Sequence, residues 1–190
     1  MKPIKLQANT VNRLAASIHK RNHKWWHDAK GKPVNRNDGE LLMLVVTELA
    51  EAVEGIRKDL MDDHLPHLKM EEVEMADAVI RLLDFAAGNR IKISLNRVVD
   101  YDGECSLFFY QNKCEKILAI VEKITMAWRT FKVARGFSGY RIGVAVACII
   151  HYCEFRKLNL NRAIAEKLEY NRTRADHTHE ARAKANGKKF

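Results

Sequence analysis

An all-α fold, a helical bundle in a single domain, is predicted by three features of the sequence. Nine Gly and three Pro among 190 residues leave little material for the many tight turns of a β-sandwich or β-barrel. Apolar residues recur every three or four positions along most of the chain, which is the period of an amphipathic helix. A hydrophobic fraction of 47% supplies enough apolar surface for a core, so disorder is excluded as the state of the whole chain.

Loops and caps separate the predicted helices. Gly and Pro mark residues 29–37 as a loop, and Asn37 or Asp38 at its end is a typical N-cap. Gly88 followed by Asn89 is a typical C-terminal cap. The predicted helices span residues 6–24, 39–61, 68–88, 106–134, 138–157 and 160–173.

The chain contains no internal repeat and no low-complexity linker, so we expect one domain over residues 1–190, with extra helices in its second half. The polar tail over residues 175–190 is expected to be flexible. The longest apolar run, residues 144–150, is far shorter than the roughly 20 residues of a membrane span. Residues 1–10 lack the apolar core of a signal peptide. We therefore predict a soluble, cytoplasmic protein without a membrane partner.

Positive charge is concentrated at the C-terminal end of the chain. The net charge is +9 at pH 7, and residues 156–190 contribute ten Lys or Arg against four Asp or Glu. Such a tail attracts an anionic partner, which can be nucleic acid, a membrane surface or the phosphates of a small ligand. A solvated face that only aids solubility is the alternative.

Two pairs of acidic residues lie at helical spacing on neighbouring predicted helices. Glu48 and Glu51 are three residues apart on one helix, and Glu74 and Asp77 repeat this spacing on the next. Residues three apart lie about one turn apart and roughly 60° around the helix axis. Because helices joined by a short turn pack antiparallel, we expect all four carboxylates to point at one spot.

Four carboxylates in a sheltered place require neutralisation. Burial removes their hydration, and each unpaired ion costs several kcal/mol, so the cluster needs cations or protons. Oxygen ligands without a histidine partner favour Mg²⁺ or Mn²⁺ over iron. The alternative is that the acids face solvent and pair with Lys or Arg. The apolar neighbours Leu44, Val45 and Leu49, together with the matched second pair, favour the sheltered cluster.

The spacing of these acids is typical of one family. The pattern Glu48-x-x-Glu51, then 22 residues, then Glu74-x-x-Asp77 resembles the MazG-type all-α nucleoside triphosphate pyrophosphohydrolases, and among them the compact, phage-like members. The segment Lys-Leu-Glu-Tyr-Asn-Arg-Thr-Arg over residues 167–174 is similar to a segment late in those chains.

The resemblance covers residues 10–88 and 160–176 and implies a MazG-like helical bundle. Residues 91–158 depart from the pattern, because the compact members are shorter there and this chain has extra helical material.

The resemblance implies hydrolysis of a nucleoside triphosphate to the monophosphate and pyrophosphate, in control of nucleotide pools. A deoxynucleoside triphosphate is the expected substrate. Some similar phage proteins prefer purines such as dGTP and dATP and others prefer pyrimidines, and the sequence carries no motif that distinguishes the bases. Two or three Mg²⁺ ions per site, for which Mn²⁺ can substitute, would screen the triphosphate and activate water. The family also implies a homodimer or homotetramer, for which residues 106–134 and 139–150 are the expected interface surfaces.

By the same resemblance, the metal ligands are expected to be Glu48, Glu51, Glu74 and Asp77. Glu51, or else Glu48, is expected to accept the proton of the attacking water.

The phosphates are expected to bind Lys167, Asn171 and Arg174. These residues are spaced by four and three positions, so one helix face can present all of them. A surface or carboxylate-paired role is the alternative for Arg174.

The base and sugar are expected to lie near the end of the first helix. An indole can stack on a base, and an amide or imidazole can read its edge. One of the two tryptophans can instead belong to the core, and Asp84 can instead form a plain salt bridge. The expected base- or sugar-binding residues are Trp26, Trp25, Asn22, His19 and Asp84.

Two other functions remain open at this stage. One is a helical nucleic-acid-binding protein that uses the basic tail and the two tryptophans, and the other is the same enzyme acting on an alarmone similar to guanosine tetraphosphate. The turn that carries Asp62, Asp63, His64 and His67 could bind a metal, but we interpret it as a solvated turn.

Overall fold

Helices dominate the computed structural model of the protein, which describes residues 8–95, 110–174, 178–184 and 186. Within these ranges there is no β-strand, and the bridges that occur are isolated. The predicted all-α class is therefore confirmed. The helices are α1 (Ala8–Arg21), α2 (His23–Trp26), α3 (Asp38–Lys58), α4 (Met70–Gly88), α5 (Lys113–Val133), α6 (Ser138–Phe155), α7 (Leu160–Thr173) and α8 (His179–Ala183), and a 3₁₀ turn spans Arg135–Phe137.

Helix α4 lies at the centre of the described fold. It contacts α1, α3, α6 and α7, and most of its side chains are buried on every side. A helix that is apolar almost all round is the kind that becomes buried. Because α4 also carries Glu71, Glu74 and Asp77, these three acids lie in the interior.

The loop before α3 and the turn after it set the position of this helix beside α4. The Asn37 side chain accepts hydrogen bonds from the backbone N–H groups of Gly39 and Glu40, which confirms the expected N-cap. Asp59 adopts the left-handed conformation with φ of 50° and ends α3 at Lys58. The helix thus ends three residues earlier than predicted, and the two acid-bearing helices lie side by side as expected.

Two other predicted boundaries are wrong. The first predicted helix, residues 6–24, is divided at Asn22 into α1 and α2. At this break the Asn22 side chain donates a hydrogen bond to Asp84 on α4. The helix predicted over residues 138–157 ends two residues early, because Lys157 has a positive φ of 57°.

The long helix predicted over residues 106–134 begins later than expected. Asn112 and Glu115 form a capping box, which starts α5 at Lys113. Residues 106–109 lie outside the described ranges. Residues 110–112 were predicted to be helical and are not, because Asn112 is the N-cap and the helix begins after it.

Helix α6 is buried along most of its length, including residues 142–150. The segment over residues 92–94 packs closely against the start of α6, since a Cβ built on Gly139 would lie 2.1 Å from the carbonyl oxygen of Lys92. The Ser94 N–H also donates to the carbonyl of Gly139 at 3.1 Å. The expectation that residues 139–150 form an oligomer interface is therefore wrong, because this segment packs into the protein's own core.

None of the described helices combines the length and apolar character needed to cross a bilayer. Of the tail predicted to be flexible, α8 and its N-cap Thr178 are described, and most of the rest lies outside the described ranges. The single domain and the predicted oligomer stay predictions.

Candidate functional site

A cavity of about 540 Å³ lies along α4, between α3, α7 and the turn that joins α1 to α2. Glu74 and Asp84 line it at places ten residues apart on α4, a helical rise of about 15 Å. Its two ends differ, because carboxylates and cations line one end and tryptophans line the other. The volume is in the range of small-molecule binding pockets.

Three carboxylates converge at the acidic end of the cavity. Glu48 of α3 and Glu74 and Asp77 of α4 each offer an oxygen, and these atoms lie within 4.8 Å of one another. The three residues are 5%, 5% and 8% exposed. Glu51 differs from them, because it is exposed and lines the rim of the same cavity one turn further along α3. The expected group of four is therefore three buried acids with a fourth at the mouth.

Two cations lie among the acids. Lys167 of α7 is 4% exposed, and its Nζ lies 3.1 Å from Asp77 Oδ2 and 3.9 Å from Glu74 Oε1. Arg81 of α4 places its Nε 2.6 Å from Glu48 Oε1. Lys167, which was expected to bind phosphate, therefore lines the cavity and is also paired with two of its carboxylates. Sequence reasoning missed Arg81, although its position four residues after Asp77 puts it on the same helix face.

Burial sets the protonation of the acidic end. It is the largest cause of the raised pKa of Glu74 and Asp77, and neighbouring carboxylates add to the rise. The pKa of Glu51 is also raised, first by the partial burial of this rim residue and then by Glu48. Burial alone would lower the pKa of Lys167, but Asp77 and Glu74 outweigh it, and the net pKa is raised.

The charges and donor atoms at this end fit a divalent cation. Four ionised carboxylates against Lys167 and Arg81 leave two negative charges unmatched. Glu74 Oε2 and Asn171 Oδ1 are buried and have no hydrogen-bond partner among the described residues. Carboxylate and amide oxygens are the ligands that Mg²⁺ and similar hard cations take. The residues present therefore fit the expected Mg²⁺ or Mn²⁺.

At the other end, Asp84 is bound by three of the residues that were expected to contact a ligand. His19 Nδ1 lies 2.8 Å from Asp84 Oδ1, Asn22 donates to Oδ2 at 2.9 Å, and the Trp26 indole N–H donates at 3.1 Å. The Trp26 ring also packs on Gly88, where a Cβ would lie 2.3 Å away. Asp84 therefore holds the turn between α1 and α2 against α4.

Aromatic and apolar side chains form the walls of this end. Trp25 and Trp26 line it together with Leu41, Leu44, Ile80 and Phe85. His19 contacts Asp84 but is not among the residues that line the cavity. Arg36 also lines it, and its guanidinium donates to the carbonyl of Trp25. Flat apolar walls with few polar groups suit a planar ring. Arg36 was not predicted as a site residue, because it lies in a loop, where helical spacing gives no information.

Helix α7 and the α3–α4 turn complete the acidic end. Lys167, Asn171 and Arg174 all line the cavity, as their predicted common helix face requires. His64 lines it as well, and its ring centroid lies 4.7 Å from that of Tyr170. The turn interpreted as solvated therefore contributes one side chain to the cavity.

The cavity thus combines a cation-binding set of oxygens with an aromatic end about 15 Å away along α4. Comparisons with protein-family models, with curated proteins and with solved structures found no match for this chain.

Proposed function

We propose that the protein is a MazG-type pyrophosphohydrolase that uses a divalent metal to cleave a nucleoside triphosphate into the monophosphate and pyrophosphate. The observation that carries this proposal is the convergence of Glu48, Glu74 and Asp77 in a cavity whose far end is lined by Trp25 and Trp26. An acidic metal site and an aromatic wall in one cavity match the two halves of a nucleotide.

The three buried carboxylates would hold the metal, with Glu51 at the rim as a further ligand or base. With all four carboxylates ionised, two negative charges would be left for the metal to neutralise, and Glu74 Oε2 has no hydrogen-bond partner among the described residues. Both features support this assignment. When bound, Mg²⁺ or Mn²⁺ would screen the phosphate charges and lower the pKa of a bound water. Lys167 and Arg81 hold the carboxylates in place through their ion pairs.

The remaining residues would orient the substrate. The base would lie against Trp25 and Trp26, and Asp84 holds the Trp26 indole through a hydrogen bond. The triphosphate would extend along α4 towards Asn171 and Arg174, whose side chains line that end. Glu51 is exposed at the rim, so a carboxylate there can accept the proton of an attacking water.

The base and sugar follow from the resemblance alone, so dGTP and dATP are the first substrates to test, with an alarmone as a further substrate. The test screens the eight common ribo- and deoxyribonucleoside triphosphates with Mg²⁺ and measures pyrophosphate release.

Substitution of the buried acids should abolish this turnover. We expect Glu48→Gln and Asp77→Asn to lower kcat/KM by at least about 100-fold, because each removes a metal ligand. A chelator should have the same effect on the wild type. Glu54→Gln is the matched control, because Glu54 lies on the same helix and pairs with Arg57 and Lys58 outside the cavity.

Wild-type rates in both acid variants would contradict the proposal. A protein that is inert towards all triphosphates, but binds an oligonucleotide with steep salt dependence, would instead favour the nucleic-acid-binding function.

A further inference from the structure

His64 is a cavity-lining side chain that the proposed function leaves without a role. It lies on the turn between α3 and α4, and it shares the acidic end of the cavity with Lys167, Asn171 and Arg174. The imidazole is exposed, so a ligand in the cavity can reach it.

The backbone around His64 is fixed although the side chain is exposed. Asp62 is 4% exposed, and its Oδ1 accepts hydrogen bonds from the backbone N–H groups of His64 at 3.0 Å and Leu65 at 2.7 Å. The Asp62 N–H donates to the carbonyl of Leu68 at 3.0 Å. The His64 ring packs edge-on against Tyr170 of α7. The backbone of the turn and the contact with Tyr170 therefore place the imidazole beside the cavity.

The order of the α4 residues along the cavity indicates which part of a bound nucleotide would lie near His64. From the tryptophan end, α4 presents Asp84, then Asp77, then Glu74, a span of about 15 Å. His64 lies on the turn that precedes α4, beside α7 residues that follow Lys167. A nucleotide with its base at the tryptophans would therefore bring its terminal phosphates, and not its sugar, to this turn.

The two α7 cations at this end also contact protein groups. Lys167 is paired with Asp77, and the Arg174 guanidinium lies 5.4 Å from the centre of the Tyr170 ring. An imidazole N–H can make a charge-assisted hydrogen bond to a phosphate oxygen, because the phosphate is ionised.

We propose that His64 binds the terminal phosphates of the substrate and so favours a triphosphate over a monophosphate. This inference rests on the proposed function for the identity of the ligand, and on the geometry of the turn for the position of the contact.

The kinetic test compares His64→Ala and His64→Gln with His67→Gln. His67 lies three residues later on the same turn, pairs with Glu166 at 2.6 Å and is outside the described lining of the cavity. We expect both His64 variants to raise KM for the triphosphate about tenfold, because one charge-assisted hydrogen bond is lost. The kcat value and inhibition by the nucleoside monophosphate should change less than about twofold, and His67→Gln should behave as the wild type.

A purely supporting role for His64 would give a different pattern, with monophosphate inhibition weakened as much as triphosphate binding. That pattern, or an unchanged KM in both His64 variants, would overturn the inference while leaving the proposed function intact.

A second measurement does not depend on turnover. Inorganic pyrophosphate with Mg²⁺ is titrated into the protein, and the NMR resonance of the His64 ring C–H, assigned by its loss in His64→Gln, is followed. A saturable shift in the wild type would support the phosphate contact even if no triphosphate is hydrolysed. No shift at millimolar pyrophosphate would overturn it.

Discussion

Two acids on α4 have opposite surroundings although they lie three residues apart. Glu71 accepts hydrogen bonds from the Tyr152 hydroxyl at 2.6 Å and from Arg156 Nε and Nη2 at 2.8 and 3.0 Å. Glu74 lies 3.9 Å from the Lys167 Nζ, and its Oε2 has no hydrogen-bond partner in the described part of the chain. The charge of Glu71 is therefore matched by the protein, whereas Glu74 keeps an acceptor for a ligand.

Replacing Glu71 by Gln should destabilise the fold mainly at neutral pH. Burial alone would raise the pKa of Glu71, but the hydrogen bonds from Arg156 and Tyr152 outweigh it and hold the pKa below its ordinary value of 4.5. A lowered folded-state pKa gives stability that is present above the unfolded-state pKa and is lost as the pH falls through the folded-state pKa. We expect Glu71→Gln to lower the free energy of unfolding by roughly 2–3 kcal/mol at pH 7.

Urea denaturation at neutral pH and at about pH 3.5 measures this difference, which should shrink in acid. Glu169→Gln is the control, because Glu169 is exposed and pairs with Arg172 at the surface. Equal losses of stability at both pH values would show that the Glu71 charge is not what stabilises the fold.

The contribution of Glu74 to stability depends on pH in the opposite direction to that of Glu71. Its folded-state pKa is raised above the ordinary 4.5, chiefly by burial. Protonated Glu74 therefore favours the folded state, and this contribution is lost as the pH rises from about 4.5 towards the folded-state pKa. A cation that displaces this proton at neutral pH would neutralise the carboxylate in its place.

At the scale of helices, the acidic end was predictable because its signal is local. The 3.6-residue period places Glu48, Glu74 and Asp77 on definite helix faces, and the connection over residues 59–69 brings α3 and α4 together. The partners of these acids were not predictable in the same way. The ion pair of Asp77 with Lys167 depends on how α7 packs against α4, and no spacing within either helix reports that packing.

The contacts at the aromatic end of the cavity were also not predictable from the sequence. Trp25 and Trp26 were identified by residue type, but the role of Asp84 as the acceptor that holds the α1–α2 turn depends on contacts about 60 residues apart in sequence. The position of His64 in the cavity likewise depends on the fold of a turn whose composition suggests solvent exposure.

The contact between α2 and α4 should be sensitive to a single methyl group. A Cβ on Gly88 would lie 2.3 Å from the Trp26 ring, so Gly88→Ala must displace the indole from its hydrogen bond with Asp84. We expect a loss of roughly 1–3 kcal/mol in stability and a shift in tryptophan fluorescence. Thermal unfolding and fluorescence spectra check both.

Gly136→Ala is the matched control, because a Cβ at Gly136 would have no atom within 4 Å. If Gly88→Ala were as stable as this control and kept the wild-type spectrum, Trp26 would not be packed against α4 as described.

At the scale of the whole molecule, the second half of the chain supports the helix that carries the site. Tyr152 of α6 and Arg156, the residue after this helix, bind Glu71. Phe131 of α5 packs edge-on against Phe85 of α4 with ring centroids 5.4 Å apart. Residues 91–158 lie where the sequence departs from the family it resembles, so this support could not be predicted from the resemblance.

The acidic end of the cavity differs in charge from the molecule as a whole. The chain carries a net +9, yet the acidic end of the cavity retains two negative charges when its four acids, Lys167 and Arg81 are all ionised. A divalent cation would be attracted to this local excess in spite of the positive total, because nearby charges act more strongly than distant, screened ones.

Calorimetric titration of Mn²⁺ into the wild-type protein and into Glu74→Gln tests the metal site most directly. We expect saturable binding to the wild type at about pH 8, at least about tenfold weaker binding at about pH 5.5 because protons compete for the raised-pKa acids, and at least about tenfold weaker binding to Glu74→Gln at about pH 8. Equal affinity of the two proteins, or no binding to the wild type at millimolar Mn²⁺, would contradict a metal held by these carboxylates.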